Sequence, residues 1–248
     1  MAKARRGGRV VYIRKNGTWK GQNTANASNT ATATVLSGGG GGAVSFGIMT
    51  DADAQQIRDD VDSRYTPSVR DAIKQYIADN DAGQGYSTSQ WLNHRLENDM
   101  KLNANEKYVD KYLQQGMHDL GKDAILTRAC HQDVIQNLGV KDYSKYSETQ
   151  LNQMLVGATW TSKAYGSASY DKSKNPFITG APAGGREVFM NIKAKSDTKC
   201  VFGAKKQAEI VLNKGTNYRV TGVHYDGTTA YPRNGKAMPR LIVDVEIY

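Results

Sequence analysis

The stretch 205-KKQAEIVLNKGTNYRVTGVHY-225 sets Gln207 and Glu209 two residues apart at the entrance to an apolar run, Ile210, Val211 and Leu212. In an extended chain residues i and i+2 project from the same face, so an amide and a carboxylate are expected side by side. Burying such a pair without partners is costly, which suits a site better than a core. The turn "NKGTN" then leads into "NYRVTGVHY", whose composition and alternation read as a second strand.

Working outward, the C-terminal half reads as short strands separated by Gly, Pro, Asn and Asp turns: "DAILTRA", "REVFMNIKA", "AEIVL", "NYRVTGVHY" and "RLIVDVEIY". The preceding segment reads as helical. "TPSVRDAIKQYIADN" spaces Val69, Ile73, Tyr76 and Ile77 on one face, with Pro67 suited to a first turn. "YSTSQWLNHRLEND" offers Ser87 as an N-cap with Gln90 at the capping-box spacing. "NEKYVDKYLQQGMHDLG" gives a third helix ending near Gly121. Helices followed by strands predict an α+β domain.

The 248 residues carry a formal net charge of +9. Lys3, Arg5, Arg6, Arg9, Arg14, Lys15 and Lys20 precede any acidic residue, so these seven leave +2 for residues 21–248. Such a basic arm could touch nucleic acid, an acidic partner or a membrane surface, or remain a solvated tail. Residues 21–45, rich in Asn, Thr, Ala and Gly with five glycines at 38–42, bury too little apolar surface to offset ordering and read as a linker. The expected division is a basic arm and disordered linker over 1–47 and a folded domain over 48–248. No apolar run reaches the roughly 20 residues needed to span a bilayer, and the opening residues lack the apolar centre of a secretory signal. A cytosolic protein with reduced cysteines at 130 and 200 is expected, with no membrane partner. The four histidines, His94, His118, His131 and His224, show no metal-ligand spacing, and no metal is expected.

Three features follow one another in the order Arg128, at the end of "AILTR"; Ser167 and Ser169, in "AYGSAS"; and Gln207 with Glu209. In that order they resemble the arginine–serine–glutamate class of mono-ADP-ribosyltransferases, and in particular the enzymatic subunits of bacterial binary toxins and the Rho-modifying exoenzymes. "YGSAS", "REVFMNIKA", "CVFGAKKQAEIVLNKGTNYRVTGV" and "RLIVDVEIY" are similar to that class's parts in order, and "AIKQYIADNDAGQGYSTSQWLNHRLEN" to its helical lobe, so the likeness spans about residues 66–248. It implies an ADP-ribosyltransferase-like fold of two roughly perpendicular small β-sheets flanked by N-terminal helices, with NAD as co-substrate between the sheets.

The resemblance also implies roles, each with a chemical reason. Glu209 would hold the ribose 2′-hydroxyl and favour the oxocarbenium-like charge that develops as the nicotinamide–ribose bond breaks. Arg128 would take the pyrophosphate on its fixed fork of donors, Ser167 would position Glu209, and Ser169 would brace the turn. Gln207 would read the acceptor, and an amide there implies a non-arginine side chain on a target protein. Phe202, in the loop before it, would dock that target or else belong to the core. The sequence departs from the pattern at Ala168, where the class has Thr, and at Thr127, where an aromatic commonly precedes the arginine. The loop "YDKSKNPFITGAPAGG" could cover NAD.

Other features have plainer readings. A literal "STS" at Ser87, Thr88 and Ser89 precedes Arg128 and is better taken as a helix cap. Arg95 reads as a solvated helix face, His131 as a surface residue close to Arg128, and "DADAQQIRDDVDSR" as a polar helix. The arm and linker also resemble the ends of phage-encoded structural or packaged proteins. That leaves two alternatives open: a virion-associated protein that keeps the transferase fold without useful catalysis, and a glycohydrolase that hands ADP-ribose to water.

Overall fold

The computed structural model describes residues 46–78, 87–175, 186–230 and 237–248, together with the backbone of two N-terminal strands, β1 (Ala2–Arg6) and β2 (Arg9–Ile13). These two pair antiparallel, Ala2 opposite Ile13, inside the arm that composition marks as unstructured. The 21–45 linker and most of the glycine- and proline-rich loop after Tyr170 lie outside the described residues.

Four helices open the domain, and each starts on a side chain able to satisfy its free backbone N–H groups. Helix α1 (Asp51–Asp62) has a capping box between Thr50 and Asp53. Helix α2 (Pro67–Ile77) is capped by Thr66 with Pro67 in its first turn. Helix α3 (Thr88–Glu97) carries the expected Ser87–Gln90 box, so the "STS" hydroxyls serve as a cap. Helix α4 (Ala104–Gly116) is boxed by Asn103 and Glu106. It stops at Gly116, five residues short of Gly121, because Met117 leaves helical geometry and His118–Asp119 (β3) pairs with a strand instead.

The remaining strands are β4 (Ala124–Cys130), β5 (Thr159–Thr161), β6 (Gly166–Ser169), β7 (Val188–Ala194), β8 (Lys199–Phe202), β9 (Glu209–Leu212), β10 (Asn217–Ala230) and β11 (Met238–Ile247). Two helices interrupt them, α5 (Asp133–Asn137) and α6 (Glu148–Leu155); the sequence reading expected only strands there. The strand order is β3-β8-β9-β6-β4-β7-β11-β10-β5, with β7 and β11 parallel and the other pairs antiparallel.

Hydrogen bonding is thus continuous where two sheets were expected, but the continuity is thin. Between β6 and β4 the register consists of one pair, Thr127 opposite Ser169. On one side of this seam lie β3, β8, β9 and β6, and on the other β4, β7, β11, β10 and β5. A large apolar core including Leu126, Leu151, Leu155, Ile192, Ile210, Leu212 and Val243 runs beneath both sides. A second, smaller core packs α2, α3 and α4, through Val69, Tyr76, Leu92, Val109 and Leu113, against Tyr165, Val201 and Val211. That second core holds the helical lobe over β6, β8 and β9, beside the seam.

Candidate active site

Arg128 and Ser169 come from the strands that meet at the seam, and Glu209 lies directly across β6 from Ser169. Arg128, Ser167, Ser169, Gln207 and Glu209 line one cavity of about 150 Å³, together with Asn93, Ala129, Ala168 and Asn175. Arg128 and Ala129 also line a second, larger cavity of about 800 Å³, with Cys130, His131, Trp160, Arg186 and Tyr218 on its walls. Arg128 and Ala129 thus belong to the walls of both spaces. Burial opposes the charge on Arg128, but Cys130, Tyr218 and Tyr76 outweigh it and raise its affinity for the proton, so the group is a fixed cation.

Gln207 and Glu209 reach their common cavity by a route the sequence does not suggest. The chain is not extended there: Lys205–Gln207 forms a 3-10 turn, and Ala208 follows at φ +48°, in the left-handed region that favours glycine. Ala208 is fully buried, and its carbonyl accepts from the Tyr170 amide at 3.0 Å. The turn is closed by reciprocal bonds, Gly203 N–H to the Glu209 carbonyl at 2.9 Å and Glu209 N–H to the Ala204 carbonyl at 3.1 Å. Ser169, 3% exposed, has its hydroxyl 2.8 Å from both the Gln207 and the Asp171 carbonyls. It thus ties the turn to the strand across from it.

The Glu209 carboxylate is held from below. Its Oε2 accepts the Ala204 backbone N–H at 3.0 Å, and it lies so close over Gly203 that a Cβ there would stand 2.3 Å from the same oxygen. Gly166 has the same relation to Arg128, with a Cβ position 2.6 Å from Nη1. Two glycines therefore make room for the two charged groups of the site.

Tyr76 is a site neighbour that helical spacing assigns only to the core. It is buried, and its hydroxyl oxygen accepts from the Asn93 amide at 2.9 Å. Burial pushes its phenol up to about 12, while Asn93, Arg128 and Ser167 act in the opposite sense. Asn93 also accepts the Tyr165 amide at 3.2 Å, so α3 is fastened to β6 where the cavity opens. The "WLN" run gave no separate sign of this beyond the helical pattern.

Phe202 takes the core alternative. It is 6% exposed, its ring stacks on His118 with centroids 5.5 Å apart, and the Arg58 guanidinium covers it at 4.7 Å. Its side chain is thereby packed in the core, which does not favour the docking role the resemblance implied. The exposed residues of that loop are Lys205 and Lys206. Arg95 bonds the buried Glu106 at 2.9 Å and the Lys101 carbonyl at 3.2 Å, a structural role. His131 remains partly exposed, as a surface residue would be, yet it lines the larger cavity and pairs with the buried Glu187 at 3.3 Å. Cys130 and Cys200 are free thiols. Among the described residues no cluster of His, Cys, Asp or Glu could hold a metal, and no helix is long and apolar enough to cross a membrane.

A helical lobe on a mixed sheet, with an arginine, a serine pair and a glutamate gathered at its seam, defines the ADP-ribosyltransferase fold. The chain belongs to the ADP-ribosyltransferase exoenzyme family, whose model matches residues 17–247, beginning within the segment set apart as arm and linker. Comparison with curated protein sequences finds no match. Among solved structures, the chain is similar to the enzymatic component C2-I of the C2 toxin from Clostridium botulinum, at 14% identity and TM-score 0.59 over 80% of this chain and 48% of that one. It therefore spans about half the length of C2-I. It is also similar to Plx2a, an ADP-ribosyltransferase toxin from Paenibacillus larvae, at 11% identity and TM-score 0.60 over 78% and 92% of the two chains. A third likeness is to C3stau2 from S. aureus, solved with NAD, at 16% identity and TM-score 0.55 over 83% and 99%.

Proposed function

We propose that the protein is an NAD-dependent mono-ADP-ribosyltransferase that cleaves the nicotinamide–ribose bond and passes ADP-ribose to a non-arginine side chain of a target protein. The observation that carries this reading is the convergence of Arg128, Ser167, Gln207 and Glu209 on one cavity, with Arg128 also in the wall of a larger one. A dinucleotide is two nucleosides joined by an anionic pyrophosphate, and an arginine common to the walls of two spaces suits that layout. The stacked Trp160 and Tyr218 rings, 4.9 Å apart, give the larger space an aromatic wall.

In this reading Glu209 is the catalytic carboxylate. As the C1′–N bond breaks, nicotinamide leaves with the bonding pair and positive charge grows on the ribose. A carboxylate preorganised by the Ala204 amide stabilises that charge without having to move. The acceptor then bonds C1′ and releases its proton. Gln207 has no charge with which to orient a guanidinium, so its amide suits an uncharged acceptor side chain.

The test is incubation of the protein and of Glu209→Gln with labelled NAD and a cell lysate, following label transfer and free nicotinamide together. The parent is expected to label a protein, and the variant to lose at least about a hundredfold in turnover. Unchanged turnover in Glu209→Gln would reject the assignment. Nicotinamide release with no labelled protein in any lysate would reassign the chain as a glycohydrolase.

A further inference from the structure

Helix α1 reads in sequence as a polar, solvated helix, yet Arg58 at its centre is only 7% exposed. Among the described residues no carboxylate forms an ion pair with it, and burial pulls its proton affinity down. A buried cation without an anionic partner is costly to keep. Tyr170 and Asp62 favour its charge, and its closest contacts lie on one short segment: Nη1 donates to the Gly203 carbonyl at 3.1 Å, and the guanidinium covers the Phe202 ring at 4.7 Å.

The Gly203 carbonyl and the Ala204 N–H are two ends of one peptide group, which is planar and turns as a unit. One end accepts from Arg58; the other donates to Glu209 Oε2 at 3.0 Å. Fixing the carbonyl fixes the direction of the N–H. A cation on the oxygen also polarises the peptide and strengthens the bond its N–H makes, as hydrogen bonds in series do in a low-dielectric interior. Two further contacts hold α1 in register with this loop and with the turn after β6: Lys205 Nζ donates to Gln55 Oε1 at 2.8 Å, and the Tyr170 hydroxyl to Asp51 Oδ1 at 3.1 Å.

We infer that Arg58 is a positioning residue for the Glu209 carboxylate, acting through the Gly203–Ala204 peptide. The inference rests on the proposed role of Glu209 for its kinetic consequence, but its structural content stands apart from that role. Arg58 is not among the residues that line the cavity, so its loss should act on turnover more than on NAD binding.

The experiment uses the full chain as parent, Arg58→Met, Arg58→Lys and Glu209→Gln. It measures kcat and KM for NAD in nicotinamide release, with the Ala204 amide and Arg58 Nε–H resonances read by NMR. Arg58→Met, which keeps the apolar stem but removes the donor, should lower kcat by about tenfold or more with KM within about twofold, the signature of a misplaced group. Arg58→Lys, still charged, should recover part of that loss. The Ala204 amide proton should move upfield in both Arg58→Met and Glu209→Gln, since each weakens the same bond, and Glu209→Gln should reciprocally move the Arg58 Nε–H resonance. Should Arg58→Met fail to fold, this last shift decides the matter in a variant that retains Arg58. An unmoved Ala204 amide with unchanged kcat in Arg58→Met, or an unmoved Arg58 resonance in Glu209→Gln, overturns the inference. If both resonances respond while Glu209→Gln keeps full turnover, the positioning stands and the proposed function falls.

Discussion

Replacing Gly166 by alanine isolates the position of Arg128 from the stability of the fold. A Cβ on Gly166 would lie 2.6 Å from Arg128 Nη1, 3.5 Å from the Tyr218 hydroxyl and 3.6 Å from Leu212 Cβ. The last two are ordinary contacts, so the whole conflict falls on the end of one side chain. Restoring a normal separation of 3.4 Å requires the guanidinium to retreat by about 0.8 Å, which a flexible arginine can do at little cost to folding. Reactions are less forgiving: a displacement near 1 Å can cost about a hundredfold in rate. The expected outcome is therefore a melting temperature within about 3 °C of the parent and a fall of about ten- to a hundredfold in kcat/KM for NAD, or about 1.4 to 2.7 kcal/mol. The assay is nicotinamide release against NAD concentration, with thermal melts of the same preparations. Gly47→Ala is the control, because nothing lies within 4 Å of its Cβ position. Parent-like kcat/KM in a folded Gly166→Ala would refute the argument that Arg128 must occupy its present place.

Gly203→Ala meets a harder conflict, 2.3 to 2.7 Å from three atoms of Glu209, and should expel the carboxylate from its amide; turnover measured beside Glu209→Gln should fall to a comparable level. Tyr76→Phe removes the hydroxyl that accepts from Asn93 and should cost about 1 kcal/mol in denaturant unfolding, with a measurable drop in NAD turnover as α3 loses a tie to the cavity. Ser169→Ala removes the one hydroxyl donor shared by the Gln207 and Asp171 carbonyls, and should cost about 1 to 3 kcal/mol in the same unfolding assay. Burial holds the His118 imidazole below its usual 6.5, so the unfolded chain binds the proton first as pH falls. Its contribution is thus present above pH 6.5 and is lost as pH falls from there through the folded value. Melting temperature should drop over that window, and His118→Gln should flatten the dependence.

How much of this was legible depended on whether the controlling interaction was local. The Ser87–Gln90 box and the first turn at Pro67 are set by residues within one helical turn, and both stand where the sequence puts them. Helix α6 was equally local: Ser147 and Gln150 form a capping box in "SETQ", a signal overlooked in a region read as strands. Arg128, Ser167, Gln207 and Glu209 were legible only through the resemblance of their order to a known class, and the strand ladder then brings them to one cavity. The geometry at Gln207 could not be read. Alanine at a left-handed position runs against local preference, and it is held there by burial and by Tyr170, some forty residues earlier. Arg58 was hidden for the same reason. In a run of charged residues nothing distinguishes the one that turns inward until its distant carbonyl acceptor is known.

The single rung between β4 and β6 has a thermodynamic consequence. Arg128 belongs to one half of the sheet and Glu209 to the other, and among the described residues only the Thr127–Ser169 pair joins the two ladders. A dinucleotide gripped by both residues would act as a second rung, a removable cross-link between two pieces of sheet. Saturation is then coupled to cohesion: NAD at a hundred times its dissociation constant adds about 2.7 kcal/mol to the folded state. Amide exchange should slow most along the margins of β4 and β6, so the substrate would complete the sheet it is bound by.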